Sequence, residues 1–250
     1  MNYLIKKFLK SLFSDGIVQT IKKVYKYFFH LSTWYKHQKV LELESTKDRF
    51  TEIYKLNLWT DNGLVSPSGK GSSLAYTKNL RLKLPGIFEK YEIQSILDVP
   101  CGDFNWMGEV LRENDHIQYL GGDIVEELVI KNQKEFSSEK ISFKVIDITK
   151  DPLPESDLMI VRDCLFHLSY EDIFSFTSNL KKSNIKFLLT STYIVDNNFQ
   201  NSNIKTGDAR PIDLFSEPFK FPQKYLEHID DYIEPFPPRI MCLFKVKELR

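Results

Sequence analysis

The sequence predicts an α/β fold: a mostly parallel sheet covered by helices on both faces and finished by an antiparallel hairpin. Three observations predict it. From Ser95 onward, short apolar runs alternate with amphipathic stretches of helical period. Carboxylates (Asp98, Asp123 and Asp147) stand at the ends of three successive runs. The last apolar run, Ile240–Val246, follows a proline-rich turn within Tyr232–Pro238, the pattern of a hairpin at a sheet edge. With 250 residues and 42% hydrophobic content, the chain can bury one large core with appendages.

Residues 1–45 differ from the rest. Leu4, Ile5, Phe8, Leu9 and Leu12 recur at helical spacing, and a second such pattern runs from Ile17 to Phe29 after a break at Asp15-Gly16. This stretch holds eight lysines against three acidic residues. Two short basic amphipathic helices are expected. They suit either a peripheral contact with an anionic membrane surface, or a cap on the main domain or pairing with another copy of the chain. Residues 46–94 read as a helical and loop cap. Within them, Ser66–Ser73 has loop chemistry, and its glycines lack the spacing of a phosphate-binding P-loop, so a lid over a ligand is expected. A helix over Thr77–Phe88 is expected to end around Pro85-Gly86.

Residues 95–250 carry the α/β pattern. Strands are expected at Ser95–Val99, Ile117–Gly121, Ile141–Ile146, Asp157–Val161 and Ile185–Thr190, and helices at Phe104–Glu113, Val125–Phe136 and Tyr170–Leu180. That order defines a Rossmann-like, doubly wound sheet with an N-terminal helical extension. Asp103 is the expected cap of the Phe104 helix. A long insert, Tyr193–Gln223, sets aromatics beside Asn, Asp and Arg, so Arg210 is a candidate anion contact.

Composition narrows the function. Lys plus Arg equals Asp plus Glu at 34 each, so no global field favours nucleic acid. Cys101, Cys164 and Cys242 form neither a redox pair nor a zinc set, and free thiols in a reducing cytoplasm are expected. Asp98 closes the first strand, and Gly102 lets backbone approach a ligand in the following turn. Asp123 ends the second strand about twenty-five residues later, where a carboxylate can accept both hydroxyls of a ribose.

The stretch Leu97-Asp98-Val99-Pro100-Cys101-Gly102-Asp103-Phe104-Asn105 resembles the first motif of the class I S-adenosylmethionine-dependent methyltransferases, usually Asp-x-Gly-x-Gly-x-Gly. With Arg162-Asp163-Cys164-Leu165-Phe166-His167-Leu168-Ser169 and Gly207-Asp208-Ala209-Arg210-Pro211, it is similar to one group of bacterial members, over roughly residues 55–246. The resemblance implies S-adenosylmethionine as cofactor, with Asp98 near its amino group, and Asp147 and Ile148 at its adenine. It also implies that Arg162, Asp163 and His167, after the fourth strand, face the acceptor. Either Asp163 or His167 could serve as base. The expected reaction is methyl transfer to a small polar acceptor, such as an oxygen of a sugar or surface-glycan precursor. Two rivals are a nucleotide-sugar or NAD-binding enzyme, which would need Gly-x-Gly-x-x-Gly, and a non-catalytic membrane-docked scaffold.

Overall fold

The computed structural model describes residue 19, residues 31–59, residue 66 and residues 68–249. The chain divides into two compact units, Met1–Leu43 and Glu44–Arg250. In the first, residues 31–41 are helical and Lys39 pairs with Glu42 at 3.1 Å. Apart from Gln19, which is helical, the two amphipathic stretches expected over Leu4–Leu12 and Ile17–Phe29 lie outside the described residues. Among the described residues, no helix is long and apolar enough to cross a membrane.

The second unit is built on a seven-stranded sheet in the order β3-β2-β1-β4-β5-β7-β6. Its strands are β1 (Ser95–Asp98), β2 (Gln118–Asp123), β3 (Ile141–Val145), β4 (Leu158–Val161), β5 (Phe187–Tyr193), β6 (Glu227–Asp230) and β7 (Arg239–Lys245). The first five run parallel, and β7 lies antiparallel between β5 and β6. This is the doubly wound sheet with a C-terminal hairpin that the sequence predicts. Strand order reverses between β1 and β4, so a crevice opens at their carboxyl ends.

Alternation places the core. Leu97, Met159 and Val161 face one layer, where α5 (Tyr170–Lys181) adds Ile173, Phe176 and Leu180. Ile96, Leu158 and Ile160 face the other. There they meet α2 (Lys78–Lys90), α3 (Met107–Arg112) and Val129 of α4 (Glu126–Phe136), while α1 (Thr46–Lys55) precedes the sheet in sequence. α5 starts where Ser169 Oγ accepts the Asp172 amide at 3.1 Å, and acidic Glu171 and Asp172 sit in its first turn.

Several boundaries depart from expectation. α2 continues through Pro85 to Lys90, because Leu80, Leu84, Ile87 and Phe88 form one buried stripe. Burial of that stripe outweighs the one backbone bond proline forfeits. α3 begins at Met107 rather than Phe104, because Gly102 and Phe104 take left-handed φ values of 56° and 57° and extend the turn. Asp103 therefore does not cap it; its amide instead donates to Ser68 Oγ at 2.9 Å. The partner of β7 is Glu227–Asp230, upstream of the proline-rich turn. The insert after β5 folds back over the first core layer, contributing Ile212, Leu214, Phe219 and Phe221.

Candidate active site

A cavity of about 290 Å³ opens at the carboxyl ends of the parallel strands. Asp98, Gly102, Asp123, Asp147, Ile148, Arg162, Asp163 and His167 all line it; Arg210 does not.

Asp98 is buried, and Tyr119 donates its hydroxyl to Asp98 Oδ2 at 2.8 Å. Burial pushes the Asp98 carboxyl up to about 7, opposed by the Tyr119 bond and the Arg162 charge. Asp123 is also buried, and burial lifts it to about 6 against the amides of Val125 (3.0 Å) and Gly102 (3.2 Å). Those two amides fix the carboxylate at the rim of the turn. Gly102 is required there: its φ is 56°, and a Cβ would meet Ser68 Oγ at 2.6 Å. Ser68, on the expected lid loop, thus packs directly on the turn. Asp147 is oriented by its neighbours, accepting the Thr149 amide at 2.9 Å and the Thr149 hydroxyl at 2.6 Å. Cys101 and Cys164 reach the cavity too, but burial pushes both thiols up, so they are not nucleophiles at neutral pH.

Beyond β4 lies a buried quartet of charges. Arg162 grips Asp231 in two-pronged fashion, Nε at 3.0 Å and Nη2 at 2.9 Å. Asp163 is held between Arg162 Nη1 (3.3 Å) and Arg239 Nη1 (2.8 Å), and Arg239 Nη2 lies 3.4 Å from Asp231. Burial favours the neutral form of Asp163, but the two guanidinium groups outweigh it and hold the carboxyl below its usual range. Arg162, the expected acceptor contact, lines the cavity, and its guanidinium is paired with Asp231 and Asp163, which neutralise it in the interior. Asp163, with φ 53°, packs closely against Gly71: a Cβ there would meet its Oδ2 at 2.5 Å.

His167 sits on a short 3₁₀ turn, Leu165–His167, with its ring 5.2 Å from that of Trp59. Its Nδ1 lies 2.8 Å from the carbonyl oxygen of Asp208. That bond places the proton on Nδ1 and makes Nε2 the basic nitrogen. A carboxylate locked between two cations is a poor base, whereas an imidazole with its proton on Nδ1 can accept one at Nε2.

Arg210 requires correction. It is buried away from the cavity, donating Nε to the Ser202 carbonyl and Nη1 to the Leu165 carbonyl, each at 3.1 Å, over the Tyr170 ring. These two carbonyls pin the insert through Nε and Nη1, while the buried Nη2 has no hydrogen-bond partner among the described residues. Arg239, Asp231, Tyr76 and Trp106 escaped sequence reasoning. Arg239 donates to the Tyr76 hydroxyl at 3.2 Å, and Arg162 lies 5.7 Å from the Trp106 ring centre. In the sequence, the available signal was an arginine, Arg239, opening the apolar run Ile240–Val246.

No protein-family model matches the chain, and no curated protein matches it in sequence. Solved structures do. PigF with SAH superposes with a TM-score of 0.55 at 10% identity, covering 85% of this chain and 69% of PigF. Human N-acetylserotonin methyltransferase in complex with SAM gives 0.53 at 14% identity, covering 95% of this chain and 70% of that enzyme. The methyltransferase domain of a bacterial CtHen1 gives 0.50 at 14% identity, covering 68% of this chain and 99% of the domain. The chain therefore has the class I fold of the S-adenosylmethionine-dependent methyltransferases.

Proposed function

We propose that this chain transfers a methyl group from S-adenosylmethionine to a small polar acceptor. The observation that carries this reading is the convergence of Asp98, Asp123 and Asp147, from the ends of β1, β2 and β3, on one cavity. The residues suit the donor chemically. Asp123 is fixed by two amides as an acceptor for a vicinal diol, and Asp98 offers a buried carboxylate to an ammonium group. Asp147 and Ile148 would flank the adenine. The close approach at Gly102 leaves backbone, not side chain, toward the ligand. The neighbours that contain SAM or SAH support the same donor.

When bound, the donor supplies an already activated methyl group. The chain's own residues then have two tasks: aligning the acceptor and taking its proton. His167 Nε2 takes the proton, while the Asp208 carbonyl holds the ring in the required tautomer. Asp163, kept anionic by Arg162 and Arg239, accepts a hydrogen bond from the acceptor and so orients it. Tyr76, Trp106, Phe166 and Trp59 give the cavity aromatic walls that suit the apolar face of a sugar ring, in keeping with an O-methylated sugar or surface-glycan precursor. An NAD-binding role is not favoured, since the β1 turn carries a single glycine, Gly102, between Val99 and Trp106.

Calorimetry with S-adenosylhomocysteine tests the donor assignment. Micromolar binding is expected, abolished by Asp123→Ala with the fold intact. Binding of NAD in its place, or of neither ligand, refutes the reading.

A further inference from the structure

We propose that Tyr119 is a positioning residue for Asp98: its hydroxyl fixes one carboxylate oxygen so that the other meets the ammonium group of the methyl donor. The inference rests on the methyltransferase reading above and deepens it. Tyr119 and Asp98 lie on adjacent parallel strands, with Ile96 opposite Tyr119 and Asp98 opposite Gly121. Both side chains therefore share one face of the sheet, and the tyrosine ring lies alongside β1 with its hydroxyl at Asp98 Oδ2, 2.8 Å away. The ring is caged by Phe104, at 5.2 Å between centres, and Phe143, at 6.0 Å. Phe143 reaches that place because residue 121 is glycine; a Cβ there would meet the Phe143 ring at 2.6 Å.

An aromatic cage is filled as well by phenylalanine as by tyrosine, so the hydroxyl is what the site gains. Burial and the Asp98 charge both push the Tyr119 hydroxyl well above its usual range, which makes it a permanent donor. Among the described residues, four ionisable groups bear on Asp98: Tyr119 and Asp123 from β2, Cys101 from its own turn, and Arg162 at the end of β4. Arg162 is committed to Asp231 and Asp163, and Asp123 repels. Among the described residues, Tyr119 is the one hydrogen-bond donor to the Asp98 side chain. Its bond opposes the burial that lifts Asp98 to about 7, and so extends the anionic form toward neutral pH.

The test compares the wild-type chain with Tyr119→Phe in two measurements. The first follows the Asp98 carboxyl by carbon NMR against pH without ligand, assigned with Asp98→Asn. The second titrates S-adenosylhomocysteine from pH 5.5 to 9. In Tyr119→Phe the Asp98 midpoint is expected to rise by about one unit, with affinity about fivefold weaker at pH 7 and within about twofold of wild type at pH 9. In an Asp98→Asn background the same change is expected to alter affinity less than about twofold. An unmoved midpoint, or an equal loss of affinity at pH 7 and pH 9, overturns the proposal and leaves Tyr119 a packing residue. Absence of binding by the wild type refutes the methyltransferase reading instead, and is told apart because the carboxyl midpoint is read with no ligand present.

Discussion

Replacing Asp231 by alanine tests the buried quartet most directly. The Asp231 side chain is fully buried, and it accepts two bonds from Arg162 and one ion pair from Arg239. Intact, the cluster sets two guanidinium groups against two carboxylates, so the interior carries no net charge. Alanine leaves Asp163 alone to compensate both arginines. Removing one partner of a buried pair costs about 3–5 kcal/mol, since the surviving charge stays desolvated. For a unit of this size that corresponds to a drop in Tm on the order of 10 °C. The backbone bond from Asp231 N to Arg239 O, and the bond from the Arg239 side-chain Nε to the Asp231 carbonyl oxygen, use only main-chain atoms of residue 231 and survive the change. The loss should therefore be electrostatic. A double variant, Arg162→Met with Asp231→Ala, should be less destabilised than either single variant, because it removes the charges together. Chemical denaturation of all four proteins measures this. A single-variant cost below about 1 kcal/mol, or strict additivity, would show that the quartet is solvated and that the reasoning is wrong.

Other consequences are equally open to measurement. Because Asp98 rises from 3.8 to about 7 on folding, its contribution to stability is full below pH 4 and is lost as pH climbs toward 7, by about 4 kcal/mol at most. Asp98→Asn should flatten that slope in unfolding titrations; a parallel curve would contradict the burial argument. Protonation of Asp98 and Asp123 should also weaken S-adenosylhomocysteine binding as pH falls through 7 to 6, visible by calorimetry. His167→Gln should lower kcat by about a hundredfold or more while leaving S-adenosylhomocysteine affinity within twofold, and undiminished turnover removes it as the base. Gly102→Ala should weaken that affinity by about tenfold through left-handed strain and contact with Ser68 Oγ, and adding Ser68→Gly should recover part of it.

What the sequence disclosed follows the range of the interactions involved. Asp98, Asp123 and Asp147 were legible because each closes a short apolar run, a pattern contained within ten residues. The mostly parallel, helix-covered sheet is legible in the same local alternation, whereas the crossover that sets β4 beside β1 is a long-range pairing. β6 was hidden because Glu227–Asp230 is four residues long, and Ile229 is its one buried residue. Asp103 looked like a cap by position, but the turn extends to Phe104 and spends its amide on Ser68. The pairing of Arg162 with Asp231 spans 69 residues, and no local pattern marks it. Arg210 sat among polar and aromatic residues, as a ligand contact would; its burial and its carbonyl partners appear only once the insert is folded.

Arg210 also says how this scaffold can vary. Its guanidinium holds the chain by main-chain oxygens at Leu165 and Ser202, and every amino acid presents that same oxygen. The knot is blind to the identity of what it ties. Exposed positions Asn197, Asn198 and Gln200 can therefore be exchanged while the anchorage at Ser202 stays put, so a library diversified there would vary the outer surface alone.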